Sequence, residues 1–192
     1  MNARSRSTPY AVLGMLSLAP MSGYDIRKES ASSIGYFWNE SYGQIYPALR
    51  ELKSQGLIKR RAGRSGGNRD RHVYEITDKG REALALWRAD PPRSSTVRNE
   101  LLLKLFFGRR DALAGEIEWI DNLLARETAA LREFGRIRRQ IMTEQRDHPS
   151  LPFWLTTVSY GEHHARGTIR WCRETRKTLR ALEGNASRKG HA

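Results

Sequence analysis

From Asp111 to Gln145 the chain runs 35 residues without a proline. Within that stretch Leu113, Ile117, Ile120, Leu124, Leu131, Phe134 and Ile141 follow a rhythm of alternating three- and four-residue steps. Glu127 and Arg138 fall on the same repeating positions as polar interruptions. This is the heptad of a helix that buries one stripe against another helix. A helix of this length spans about 50 Å, more than a small globular core accommodates, so the segment predicts a coiled-coil arm. "DHPSLP" then turns the chain, and a second rhythm follows: Leu155, Val158, Ala165, Ile169, Cys172 and Leu179, interrupted by Glu162 and Arg176. Two such helices joined by a turn pair antiparallel and leave apolar surface over, which dimerisation buries. The closing "NASRKGHA" is expected to be a frayed, disordered tail.

The first ninety residues have a different grain. A helix is expected from about Pro9 to Leu18, started by Thr8 as cap and Pro9 at the first helical position. "APMSG" makes a turn, and Ser22 caps a second helix with Asp25 three residues on, the spacing of a capping box. A third helix, roughly Tyr42 to Gln55, stops at Gly56. "LIKRRAG" and "RHVYEIT", joined by "RSGGNRD", read as a β-hairpin, with His72, Tyr74 and Ile76 on one face of its second strand. Thr77 or Asp78 opens a fourth helix that includes Leu84, Leu86 and Trp87. Pro91 and Pro92 end it, and "RNELLLKLFFG" is a short apolar helix ending at Gly108. The fold class is therefore mainly α with a small β-hairpin: an N-terminal winged helix–turn–helix and a C-terminal antiparallel, coiled-coil-like helical dimerisation domain. The expected divisions are 1–90 and 98–184, with a linker at 91–97 and a tail at 185–192.

Charge narrows the partner. Thirty-four Lys and Arg against 21 Asp and Glu give a net charge of +13, which favours a polyanion, either nucleic acid or an anionic membrane surface. No apolar run is long enough to span a bilayer. The basic opening and its apolar follow-on suggest a signal peptide, but Thr8-Pro9 and the helical spacing of Val12, Leu13 and Leu16 favour a helix of the mature domain. Cys172 is the single cysteine, so neither an internal disulfide nor a multi-thiolate zinc site is expected, and a reducing cytoplasm is the natural setting. A membrane-surface role fits less well, because the cations cluster on a hairpin and not along one helix face.

Within the winged helix, Ile45, Ala48, Leu49 and Leu52 form the inward stripe of the third helix, while Gly43, Pro47, Arg50 and Ser54 form the opposite face, flanked by Gln44 and Tyr46. In a DNA major groove the small or stiff Gly43 and Pro47 allow close approach, Arg50 can donate to guanine, and Gln44 can pair with adenine. Pro47 is tolerable if regular helix starts near Gly43 or Gln44, which places it in the first turn where no amide is missed. The hairpin carries Lys59, Arg60, Arg61, Arg64, Arg69 and Arg71, suited to following phosphates or reaching a minor groove. Ser22 and the Gly23 and Tyr24 amides stand at a helix N-terminus, a phosphate-binding position, and Arg4 and Arg6 could add a basic arm. The plainer reading of each feature alone is a solvated charged face or a packed helix. Their order within one compact segment favours nucleic acid.

Other classes fare worse. There is no GxSxG, no Walker loop, no HExxH and no Rossmann glycine pattern, so an enzyme is not expected and no cofactor is implied. A winged helix that binds RNA or a protein is the standing alternative to site-specific duplex DNA. His163 and His164 point about 100° apart on a helix and make a poor metal pair. Trp119, Trp154, Tyr160 and Trp171 could line an aromatic effector pocket between the C-terminal helices, though core and dimer-interface packing is the simpler reading of each.

"YAVLGMLSLAPMSGYDIRKES", "FWNESYGQIYPALRELKSQGLI", "RHVYEITDKGREAL" and "RNELLLKLFFG" together resemble the PadR family of bacterial transcriptional regulators, over nearly the whole chain. The long C-terminal helices resemble the larger subgroup with a virulence-activator-like C-terminal domain. The resemblance implies a homodimer binding a palindromic double-stranded DNA operator, usually as a repressor, with release by a small molecule such as a phenolic acid or a drug-like aromatic. Carried onto this chain, it makes Tyr42, Gln44, Tyr46 and Arg50 recognition-helix residues, with Lys53 beside them. Ser22 and Tyr24 become phosphate candidates, and the hairpin arginines, Arg60, Arg64 and Arg69 among them, the wing. No effector-pocket motif carries over.

Overall fold

The computed structural model describes residues 3–38, 41–61, 72–92, 98–109 and 111–189, which fall into two compact units, Met1–Ser94 and Ser95–Ala192. In the first unit α1 (Ala3–Leu18), α2 (Gly23–Ser33) and α3 (Tyr42–Ser54) pack with a sheet of β1 (Met21–Ser22), β2 (Ile58–Arg60) and β3 (Val73–Ile76), and α4 (Asp78–Ala89) follows. The sheet is antiparallel in the order β1-β3-β2, so the expected hairpin gains a third strand. Met21 and Ser22 pair with Tyr74 and Val73, while Ile58, Lys59 and Arg60 pair with Ile76, Glu75 and Tyr74. Two residues are too few to show strand alternation in a sequence, which is why "APMSG" reads there as a turn alone.

The core joins all three helices to the sheet: Val12, Leu13 and Leu16 from α1, Ile26 from α2, Ile45, Leu49 and Leu52 from α3, Ile58 and Ile76 from the strands. One expectation is corrected here. α1 begins at Ala3, not Pro9, and Pro9 is its seventh residue, with Thr8 buried instead of standing as an exposed cap. A proline removes one i→i−4 bond, and the helix continues past it.

Local chemistry ends and restarts the chain between α3 and α4. Gly56 takes φ 71°, the left-handed conformation that closes a helix. The Leu57 amide donates to the Leu52 carbonyl at 2.9 Å and the Gly56 amide to Lys53 at 3.0 Å, a Schellman pattern. Thr77 caps α4, accepting from the Gly80 amide at 3.1 Å, and its hydroxyl donates to the Gly56 carbonyl at 2.8 Å. The end of α3 and the start of α4 are thus tied to one another.

The second unit holds α5 (Glu100–Phe106), α6 (Leu113–Glu144) and α7 (Leu151–Lys189). α6 and α7 lie antiparallel and bury Leu113, Ile120, Phe134 and Ile137 against Val158, Ala165, Ile169 and Cys172. Two of the polar interruptions in the heptads face each other. Arg138 donates through Nε and Nη2 to the two oxygens of Glu162, both at 2.9 Å, and Arg176 donates to Asp121 at 2.8 Å. α7 runs on through Lys189, so the expected tail is helical over 185–189. Leu102, Leu103, Phe106 and Phe107 on and after α5 are exposed, Phe106 by 82%. Among the described residues no helix is long and apolar enough to cross a membrane.

Candidate nucleic-acid interface

α3 starts from a cap that the sequence reading overlooked. The Ser41 amide donates to Gln44 Oε1 at 3.0 Å and its hydroxyl at 2.9 Å, half of a Ser-x-x-Gln box whose spacing was visible in the sequence. Gln44 is exposed, and its side-chain carbonyl oxygen is committed to this cap, which leaves the two N–H donors of Nε2 for a partner. Because the helix begins at Tyr42, Pro47 is its sixth residue and not in the first turn, contrary to expectation. Pro47 has no amide hydrogen to give the Gly43 carbonyl, and both residues lie on the exposed side of the helix.

The two faces of α3 separate cleanly. Ile45, Ala48, Leu49 and Leu52 are buried, whereas Tyr42, Gly43, Gln44, Tyr46, Pro47, Arg50 and Lys53 are exposed. Tyr42 and Tyr46 stack with ring centroids 6.1 Å apart and planes 24° from parallel. Arg27 of α2 lies over the Tyr42 ring at 4.4 Å. A Cβ on Gly23 would stand 2.9 Å from Cε1 of Tyr46, so only glycine lets the Tyr46 ring rest on the start of α2.

This contact brings the α2 N-terminus beside the α3 face. Ser22 is 3% exposed. Its hydroxyl donates to Asp25 Oδ2 at 2.6 Å and accepts from the Asp25 amide at 3.2 Å. Gly23 is buried as well. Ser22 and Gly23 therefore build the turn that opens α2, whereas Tyr24 is exposed.

On the sheet, Arg60 and Arg61 are exposed, and the Arg61 amide donates to the Val73 carbonyl at 2.9 Å. Lys59 is countered by Glu75 across the ladder at 3.1 Å, a pairing set by register. Arg64 and Arg69 lie outside the described residues, as do the side chains of Arg4 and Arg6.

The four aromatic residues read as an effector pocket are not brought together within the chain. The Arg138–Glu162 and Asp121–Arg176 pairs fix a register in which Trp119 and Trp154 lie at opposite ends of the α6–α7 hairpin, on the order of 40 Å apart. Trp154 stacks on His148 at 4.3 Å, Tyr160 is exposed, and Trp171 is half-buried. Trp119 instead borders an open concavity of about 220 Å³ with Glu100, Leu101 and Lys104, whose ammonium stands 5.5 Å from its ring centroid. Helical spacing aligns residues along one helix, but the turn decides which end of the partner each one meets. His163 and His164 are exposed, and His163 Nδ1 lies 2.8 Å from the Ser159 carbonyl. Burial pushes the Cys172 thiol up from its ordinary pKa.

Comparison with known proteins adds identity to this geometry. The family model described as transcriptional regulator PadR-like matches residues 12–86, and that described as virulence activator alpha C-term matches 97–180. The negative transcriptional regulator PadR of Bacillus subtilis is 36% identical over 103 residues, 53% of this chain and 57% of that protein. A probable transcriptional regulator of Mycobacterium tuberculosis is 37% identical over 83 residues, 43% and 44% respectively. The matches thus span about half the length of these curated relatives. Among solved structures, Bacillus subtilis PadR in complex with operator DNA superposes with a TM-score of 0.74 at 25% identity, covering 89% of this chain and 98% of that one. The Vibrio cholerae virulence activator AphA gives 0.67 at 26% identity, covering 92% and 99%. With one family model on each unit and solved relatives spanning nearly the whole fold, the chain belongs to the PadR-like family of transcriptional regulators, with a virulence-activator-type C-terminal domain.

Proposed function

We propose that this protein is a site-specific DNA-binding transcriptional regulator of the bacterial cytoplasm. It acts as a homodimeric repressor on a palindromic operator and is released by a small aromatic ligand. The observation that carries the reading is the exposed face of α3, where Tyr42, Gln44, Tyr46, Arg50 and Lys53 stand opposite a fully buried stripe. Residues 1–90 form the DNA-binding part, with Tyr24, Arg60, Arg64 and Arg69 following phosphates beside the groove. Residues 98–184 form the dimerisation and effector part, and the exposed apolar residues of α5 suit burial against a second copy. The operator complex of the Bacillus subtilis relative supports duplex DNA as the partner, and the p-coumaric acid complex of the same relative suggests a phenolic ligand. Trp119, Trp154, Tyr160 and Trp171 then offer separate aromatic surfaces and not one cage.

The test is fluorescence anisotropy of the full chain with a duplex selected from a random library, beside a scrambled duplex and a structured RNA, at two salt concentrations. Preference for the selected duplex at physiological salt, with affinity falling steeply as salt rises, is the expected result. Equal weak binding to all three probes would overturn it. Titration with phenolic acids then reads effector action as loss of anisotropy with a change in tryptophan fluorescence.

A further inference from the structure

We propose that Arg27, which the recognition-helix pattern does not include, is a phosphate contact of this interface and is held in place by Tyr42. The inference rests on the DNA-binding reading above. Gly23 and Arg27 are four residues apart on α2 and share one face, and Tyr42 and Tyr46 are four apart on α3. The two pairs mate: Tyr46 rests on Gly23, Tyr42 stacks on Tyr46, and the Arg27 guanidinium lies 4.4 Å above Tyr42. A guanidinium uses its flat face for such a stack and keeps its edge N–H donors in the plane for a bidentate acceptor.

Among the described residues Arg27 has no ion-pair partner, and its side chain is exposed. An exposed arginine with long, free rotamers is a poor binding group, since ordering it costs side-chain entropy. Here the tyrosine stack has ordered it in advance. In helix–turn–helix docking the second helix enters the major groove while the first crosses the sugar–phosphate backbone. Arg27 stands on that first helix, beside the outward face of α3, so its acceptor is a backbone phosphate and not a base edge.

The experiment measures affinity of the full chain for the selected and the scrambled duplex between 50 and 200 mM salt, for wild type, Arg27→Gln and Arg27→Lys, with thermal melting as a folding control. Arg27→Gln is expected to weaken both duplexes by the same factor, leave base preference unchanged, and flatten the salt slope by about one unit. The affinity lost between those salt concentrations should then shrink roughly threefold relative to wild type. Arg27→Lys should restore the slope, because charge and not planarity sets counterion release. If wild type binds site-specifically but Arg27→Gln keeps its slope and affinity, or merely lowers the melting temperature, the proposal fails and the DNA reading stands. If wild type prefers no duplex, the DNA reading fails and takes the proposal with it.

Discussion

Replacing Arg138 by leucine should destabilise the helical hairpin by about 2 kcal/mol. The side chain of Glu162 is 10% exposed and receives two parallel guanidinium bonds at 2.9 Å, and Arg138 itself is 31% exposed. Breaking a fully buried pair by removing one partner typically costs about 3–5 kcal/mol, because the other charge is left unpaired. Two features lower that figure. About a third of Arg138 already reaches water, and Arg166 Nη1 stays 3.7 Å from the same carboxylate. Urea denaturation at fixed protein concentration measures the loss. The paired replacement of Arg138 and Glu162 by leucine should recover most of it, since an apolar pair leaves no stranded charge. The pH dependence gives an independent sign. Hydrogen bonding from Arg138 holds the Glu162 carboxyl below the usual carboxylate range, with burial opposing and the arginine charge assisting. A depressed folded-state pKa means the contribution is fully present above the unfolded value of about 4.3, and is lost as pH falls through the lower folded value. The gap between wild type and Arg138→Leu should therefore be widest at neutral pH and close in acid. An unchanged urea midpoint for Arg138→Leu, or a double variant as weak as the single one, would refute the reasoning.

Gly161→Ala should cost about 1–3 kcal/mol by the same assay, since its Cβ would stand 2.7 Å from the Phe134 ring inside the α6–α7 seam. Ser22→Ala should cost about 1 kcal/mol of stability through the lost cap while leaving the salt slope of DNA binding unchanged. Arg50→Ala should cost on the order of 1–3 kcal/mol of operator affinity and relax preference at one base position, read by anisotropy against single-base operator variants. Phe106→Glu, on the most exposed large apolar side chain of α5, should shift the protein toward monomer in sedimentation equilibrium without unfolding it.

Much of this protein is local in origin and could be read from residue order. Ser22 with Asp25, Thr77 before α4 and Gly56 after α3 act over three or four residues, within reach of their own backbone, so each helix end they were expected to mark is where it was placed. The heptads foretold the long paired helices for the same reason, because a 3.6-residue turn repeats along one chain whatever it meets. The inward stripe of α3 implied its outward face in the same way. What the tertiary structure alone decided are the pairings across elements. Arg138 and Glu162 are two unrelated interruptions until the turn at residues 145–150 sets the register that brings them together. That register also separates Trp119 from Trp154. Strand register gave Lys59 its partner Glu75, and the mating of α2 with α3 covered Gly23 and seated Arg27 on Tyr42. Backbone periodicity reaches only a few residues along a chain, whereas a contact between distant residues is set by the packing of whole elements, and no short stretch of sequence encodes that.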